Sequence, residues 1–222
     1  MRWLMRRGCE GRVPDKRDTD WPVWFVRGEV KGVMAQTALE RLRAATRESH
    51  ETLETRLDVL GRMATLDGRK ALAERFHALH AGMEAALAPH LEEIPDLDFA
   101  ARRRTPLLEA DMQTLGVSAA DPIQVKAVGS RAEALGFFYV LEGSSLGGRV
   151  IGKQAAARGL DMMGMSFLNP YGARTGEYWK GFLAVLDREC PAGDPAAGEA
   201  AARAAVLGFA HAEAALCAEA AS

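Results

Sequence analysis

His50 and its helical neighbours form the first group of side chains in this chain with the chemistry to hold a ligand. Arg47 precedes it by three residues, Arg43 by seven, and Glu54 follows by four, spacings that place all four along one side of a helix. A neutral imidazole flanked by two guanidinium groups can bind a metal centre while the arginines pair with anions carried by the same ligand. Glu54 is placed to accept the other imidazole N–H, which fixes the tautomer and raises ligand basicity. The same spacing also suits a histidine satisfied in a helical core beside solvated arginines, and spacing alone leaves both readings open.

The second group is a glycine-dense stretch, Tyr139-Val140-Leu141-Glu142-Gly143-Ser144-Ser145-Leu146-Gly147-Gly148-Arg149-Val150-Ile151-Gly152-Lys153, entered through Leu135-Gly136-Phe137-Phe138. Gly143, Gly147, Gly148 and Gly152 together forfeit about 4 kcal/mol of helix propensity relative to alanine in a segment that otherwise reads helical. Glycine removes the side chain, so a neighbouring body can approach the backbone and the helix can bend. Close helix–helix packing through Gly143 and Gly147 is one explanation, and Arg149 and Lys153 exclude its membrane version. The four glycines span more than one face, however, so a kinked helix lying on a planar ligand explains them better than a single packing seam.

The remaining candidates are weaker. Glu74-Arg75-Phe76-His77 is a Glu-x-x-His step with His80 three residues on, but a di-iron helical bundle needs this step from two helices plus two further glutamates. His90 and His211 carry no pattern, and Arg102-Arg103-Arg104 reads as a solvated approach to the next helix. Neither a Gly-x-x-x-x-Gly-Lys phosphate loop nor a Gly-x-Ser-x-Gly elbow is present.

Helices must position these residues. Leu39, Leu42, Thr46, His50, Leu53 and Leu57 recur at steps of three and four, and Thr37 with Glu40 makes a capping box. Further helices are expected over about 67–90, 105–116, 130–159, 173–189 and 196–220, separated by Pro95-Asp96, Asp121-Pro122, Asn169-Pro170 and Pro191-Ala192-Gly193. Thr105 with Pro106 reads as an N-cap followed by the first helical residue, and Ser130 with Glu133 as a second capping box. The alanine-rich final helix needs partners on its Val206, Leu207, Phe209 and Leu216 side. No strand pattern of comparable strength appears, so the expected fold is all-α, a single-domain helical bundle.

Residues 1–33 stand apart, with three of the four tryptophans and eight Lys or Arg against five Asp or Glu, while the rest holds twenty against twenty-five. They read as an N-terminal extension outside the domain of residues 34–222, disordered or upstream of a natural start at Met34; a short functional basic tail is the alternative. A net charge of −2 and a pI near 6.2 give no general reason to seek nucleic acid or an acidic membrane surface. Cys9, Cys190 and Cys217 form no Cys-x-x-Cys pair and are odd in number, which argues against a disulfide framework or a zinc site and fits a reducing cytoplasm. No apolar run approaches the roughly 20 residues needed to span a bilayer.

Leu42-Arg43-Ala44-Ala45-Thr46-Arg47-Glu48-Ser49-His50, followed some 90 residues later by the stretch from Tyr139 to Gly148, closely resembles the bacterial heme oxygenases in the order and spacing of both motifs. The likeness runs from about Ala35 to the C-terminus and is closest to the soluble branch, some members of which supply biliverdin to phytochromes. The resemblance implies a heme held between the first helix and a kinked glycine-rich distal helix. It implies His50 as proximal iron ligand, Glu54 as its partner, and Arg43 and Arg47 as contacts of the heme propionates. Tyr139 and Lys153 occupy positions that face the pocket or the propionates, and Gly148 belongs to the same distal motif. Gly143 and Gly147 would let the distal backbone approach the reacting centre, with Ser144 and ordered water delivering protons; eukaryotic relatives carry aspartate where Ser144 stands.

The implied reaction is oxidation of heme, both cofactor and substrate, by O2 and electrons from an external reductant to biliverdin, CO and ferrous iron. A ferredoxin or flavodoxin as donor, a bacteriophytochrome as biliverdin acceptor, and a cytoplasmic location without a C-terminal membrane anchor complete the expectation. Two other readings stay open. One is a heme carrier or sensor without turnover, and the other is a non-heme, metal-dependent member of the same helical superfamily, supported by Glu74 and His77.

Overall fold

The computed structural model describes residues 36–218, and the expectations for residues 1–33, for a start at Met34 and for a helix running past residue 218 lie outside them. Eight α-helices follow in order: α1 (Ala38–Leu57), α2 (Val59–Met63), α3 (Leu66–Leu91), α4 (Phe99–Arg102), α5 (Thr105–Leu115), α6 (Arg131–Ala157), α7 (Thr175–Glu189) and α8 (Pro195–Leu216). No strand occurs among the described residues, so the fold is all-α as the periodicity predicts. No described helix is long and apolar enough to cross a membrane.

α1 begins as expected, with Thr37 Oγ1 accepting from the Glu40 N–H and the Glu40 carboxylate accepting from the Thr37 N–H. Two other starts differ. Ser130 Oγ accepts from the Glu133 N–H, but the Glu133 carboxylate turns to the Gly129 N–H at 2.7 Å, so only half of the box forms at α6. Thr105 is the first helical residue of α5 rather than its cap, and its hydroxyl donates to Glu84 at 2.6 Å. Glu84, from α3, also accepts the Arg104 and Thr105 N–H groups, so the end of α5 is capped by a residue twenty positions upstream.

α8 is the spine of the bundle, packing along both α1 and α6, while α3 packs on α5, α6 and α8. Its buried side is mostly small: Ala201, Ala204, Ala205, Gly208 and Ala212, with Phe209 and Leu216. Val206 and Leu207 were expected on that side but point outward, Leu207 52% exposed. The small residues let α6 come close. A methyl group on Gly136 would lie 2.0 Å from the Ala201 carbonyl oxygen, and one on Gly208 would lie 2.9 Å from the Val140 side chain. Phe138 fills the space behind α6, its ring 5.4 Å from that of Phe99 and 5.7 Å from that of Phe182.

The non-helical stretch 117–129 lies over α3, where Ile123 N–H donates to the Ala78 carbonyl and His90 Nε2 meets the Val128 carbonyl oxygen at 2.8 Å. His90, silent in the sequence, therefore fastens a connection. The segment 158–174, between α6 and α7, is tied down at several points. Asp161 pairs with Arg69 at 2.9 Å, and Asp111 accepts from Ser166 Oγ and the Phe167 N–H at 2.8 and 2.9 Å.

Candidate functional site

His50 lies on α1 with its side chain 41% exposed, its Nδ1 3.6 Å from a Glu54 carboxylate oxygen and its ring edge-on to Phe209 at 5.6 Å. That separation is ion-pair range, just beyond hydrogen-bond length. Partial burial raises the Glu54 pKa, and the attraction of His50 opposes the rise. Arg43 is half-buried on the same helix and Arg47 is exposed. The buried Thr46 donates its hydroxyl to the Leu42 carbonyl at 2.7 Å.

Tyr139 of α6 meets this face. Its phenol sits beside Thr46 and Arg43, and burial raises its pKa while those two neighbours pull it down. Gly143 and Gly147 follow at one and two turns, on the same face of α6 as Tyr139. A methyl group on Gly147 would meet no atom within 4 Å, and one on Gly143 would touch only the Trp179 ring, at 3.9 Å. Gly152 is equally open. The structure thus brings His50, Arg43, Tyr139, Gly143 and Gly147 onto two faces that meet at Tyr139, with Trp179 of α7 walling one side.

Gly148 falls elsewhere. A methyl group there would lie 1.9 Å from the Leu168 carbonyl oxygen, so Gly148 serves the close approach of the 158–174 segment and not a ligand. The glycines of α6 therefore differ in what they face: Gly136 and Gly148 admit protein backbone, Gly143 has room for a methyl in ordinary contact with the Trp179 ring, and Gly147 and Gly152 have no protein atom within reach. The expected kink is not a break, because α6 remains one helix through its glycines. Lys153 is exposed on its last turns.

Ser144 donates to the Leu141 carbonyl at 2.8 Å and accepts from Arg104 at 2.7 Å. Its proton is committed to the helix, which leaves an oxygen lone pair as its remaining capacity at the site. Arg104 also donates to the Leu141 carbonyl at 2.9 Å and is 3% exposed. Arg102, 6% exposed, pairs with Glu142 and donates to the Tyr178 carbonyl at 3.0 Å. The run 102–104 is thus no solvated approach: two of its three arginines are buried against α6. Sequence reasoning missed this pair together with Glu142, Tyr171 and Trp179. One signal existed, since Glu142 is a carboxylate ending an apolar run from Ala134, and a buried carboxylate requires a cation.

Glu84, behind this cluster, is held at about 2. Burial works to raise it, but the His80 hydrogen bond at 3.1 Å, with those from Thr105 and the Arg104 N–H, outweighs that effect. His77 is buried with its Nε2 4.0 Å from Glu109. Among the described residues no group of three or more His, Cys, Asp or Glu side chains is arranged to hold a metal ion, so the Glu74–His77 step does not develop into a metal cluster there.

An all-helical bundle with a part-exposed imidazole on its first helix and unpacked glycines on its sixth belongs to the class of helical folds that leave room for a ligand between helices. A model of the heme oxygenase family matches residues 36–211. A heme oxygenase of Xanthomonas campestris pv. campestris is 36% identical over 159 residues, covering 66% of this chain and 87% of that protein. Heme oxygenase PigA of Pseudomonas aeruginosa is 35% identical over 156 residues, covering 67% and 76%. The NO- and CO-bound heme oxygenase of Neisseria meningitidis shares the fold with a TM-score of 0.67 at 21% identity, over 82% of this chain and 91% of that one. The chain belongs to the heme oxygenase family.

Heme, the ligand this family implies, suits the residues present. They offer an imidazole for iron, guanidinium groups for carboxylates, and a helix face on which a methyl at Gly147 would find no protein atom.

Proposed function

We propose that this chain binds heme between α1 and α6 through His50 and, as a heme oxygenase, cleaves it with O2 and external electrons to biliverdin, CO and ferrous iron. The observation that carries the assignment of the site is the open face of Gly143 and Gly147, which no contact within the protein requires. Bound heme supplies the iron that activates O2 and is itself the molecule oxidised.

The chain's own residues position it. His50 is the iron ligand, with Glu54 orienting its imidazole through Nδ1. Arg43 and Arg47 pair with the propionates, and Lys153 adds a cation at the rim. Gly143 and Gly147 leave room for a flat ligand to lie against the α6 backbone, which would restrict its orientation by sterics. Tyr139 stays protonated, because burial raises its pKa, and closes the seam between the two helices. Ser144 takes part as a hydrogen-bond acceptor for ordered water. A ferredoxin or flavodoxin supplies electrons, the site of action is the cytoplasm, and a bacteriophytochrome is a chemically suitable acceptor for the product.

The test is the visible spectrum of the full chain reconstituted with one equivalent of hemin and then given ascorbate in air, with His50→Ala alongside. Loss of the Soret band with growth of a biliverdin absorption, abolished or much weakened in the variant, is the expected result. A Soret band that persists under ascorbate would make the protein a carrier or sensor, and failure to form one would remove the heme assignment.

A further inference from the structure

The two halves of α6 are supported by different parts of the molecule. Its first half rests on α8, where Gly136 approaches the Ala201 carbonyl and Phe137 and Val140 approach Gly208. The second half rests on the segment 158–174, through Gly148 against the Leu168 carbonyl. That segment is itself anchored, by Asp161 to Arg69 and by Ser166 and Phe167 to Asp111. Gly143, where a methyl would meet only the Trp179 ring of α7, lies at the junction.

Next to that junction, Glu142 points away from the open face into the protein and is 1% exposed. It is held from two sides. Arg102 of α4 pairs with one carboxylate oxygen, and the Tyr171 hydroxyl donates to the other at 2.7 Å. Of the two side chains that hold Glu142 here, Tyr171 comes from the 158–174 segment and Arg102 from α4. Its ring is stacked on Tyr178 of α7 at 4.0 Å and 9° between planes, and Tyr178 in turn lies under the guanidinium groups of Arg102 and Arg174 at 5.0 and 5.1 Å. The ring is therefore fixed by stacking, while its hydroxyl alone reaches the distal helix.

We propose that Tyr171, acting through Glu142, is a positioning residue that latches α6 at the junction of its two halves to the 158–174 segment and so sets the spacing between Gly143, Gly147 and the first helix. The latch rests on the heme assignment for its consequence, because the spacing it fixes is the one a bound heme would occupy. It does not rest on it for its existence. A phenol donating to an ionised carboxylate is a strong, directional bond, and it is made at the point where glycine leaves α6 free to flex.

Tyr171→Phe removes the hydroxyl and keeps the stack; Tyr178→Phe keeps the same pair of rings and is the control. The first measurement uses the full chain without heme. Amide hydrogen exchange across residues 143–152 is expected to accelerate about tenfold or more in Tyr171→Phe, the scale of one charge-assisted hydrogen bond, with α1 and the first half of α6 unchanged and Tyr178→Phe like the parent. Unchanged exchange over 143–152, acceleration spread evenly over α1 and α8, or an equal effect from Tyr178→Phe would each overturn the latch. The second measurement follows hemin release to an excess of apomyoglobin and the distribution of biliverdin isomers. Faster release and a broader isomer mixture are expected in Tyr171→Phe, and parental values in both would overturn the positioning role. If the parent binds no hemin, the heme assignment fails while the exchange result still decides the latch.

Discussion

At Gly147 a methyl group would meet no atom within 4 Å, although glycine costs a helix interior about 1 kcal/mol relative to alanine. Packing within the protein gives no return for that cost, and a ligand lying on this face, as proposed above, would supply one. Gly147→Ala is therefore expected to stabilise the heme-free chain by up to about 1 kcal/mol, a rise in Tm of roughly 2–4 °C, and to weaken hemin binding or turnover. Calorimetry of the apoprotein beside a hemin titration checks both signs, and a variant that gains stability with full hemin affinity and activity would show that this face is not the ligand's. Gly148→Ala should behave in the opposite way. Its methyl would lie 1.9 Å from a backbone carbonyl, and overpacking of that kind destabilises by about 2 kcal/mol even before heme is added. Two adjacent glycines thus carry different demands, a distinction that spacing in the sequence does not reveal, because both lie four or five residues after Gly143 and only the neighbour across the gap separates them.

The order of the six long helices was legible because each carries its own period and several carry their own punctuation, and Thr37 with Glu40 caps α1 as read; α2 and α4, at five and four residues, are too short to show a period and were not foreseen. The ends that were misread belong to elements closed from a distance. Thr105 has the identity of an N-cap, yet the cap of α5 comes from Glu84 on α3, and Arg102 and Arg104 are buried because Glu142, Ser144 and the Leu141 carbonyl lie forty residues away in sequence and beside them in space. The capping carboxylate has a measurable signature. Its ordinary pKa of 4.5 falls to about 2 in the fold, so the folded state prefers it ionised. The resulting stability is present above pH 4.5 and is lost as pH falls from there toward 2, by roughly 3 kcal/mol. His80 works in the same direction: burial lowers its pKa below 6.5 against the opposing pull of Glu84, so acid must charge a buried ring. Glu84→Gln should be less stable than the parent at pH 7 and should approach it as the pH is lowered, a convergence readable from urea midpoints at pH 7, 5 and 3. Parallel losses in both proteins would mean that Glu84 carries no such linkage.

For the molecule as a whole, α8 joins α1 and α6. It packs along α1 beside His50, through Phe209, and along α6 through Gly136 and Gly208. The site is thus shared by helices nearly a hundred residues apart, and the pairing of their motifs was legible only through the family likeness. Access to that site is also a matter of charge. Residues 34–222 carry five more acidic than basic side chains, so an acidic electron donor would be repelled by the bulk and must meet a local basic rim, for which exposed Arg47 and Lys153 are the candidates. Lys153→Glu is expected to slow turnover driven by an acidic ferredoxin or flavodoxin about tenfold at low ionic strength. The difference should shrink as salt is added, because screening shortens the reach of exposed charge to about 3 Å at 1 M. Turnover driven by ascorbate tests the same variant without a protein donor: the part of the loss that persists there reports the cation at the heme rim, and the part seen only with the protein donor and relieved by salt reports docking. If variant and parent show the same dependence on salt with the protein donor, Lys153 is not part of the docking surface, and electrons enter by another face of the bundle.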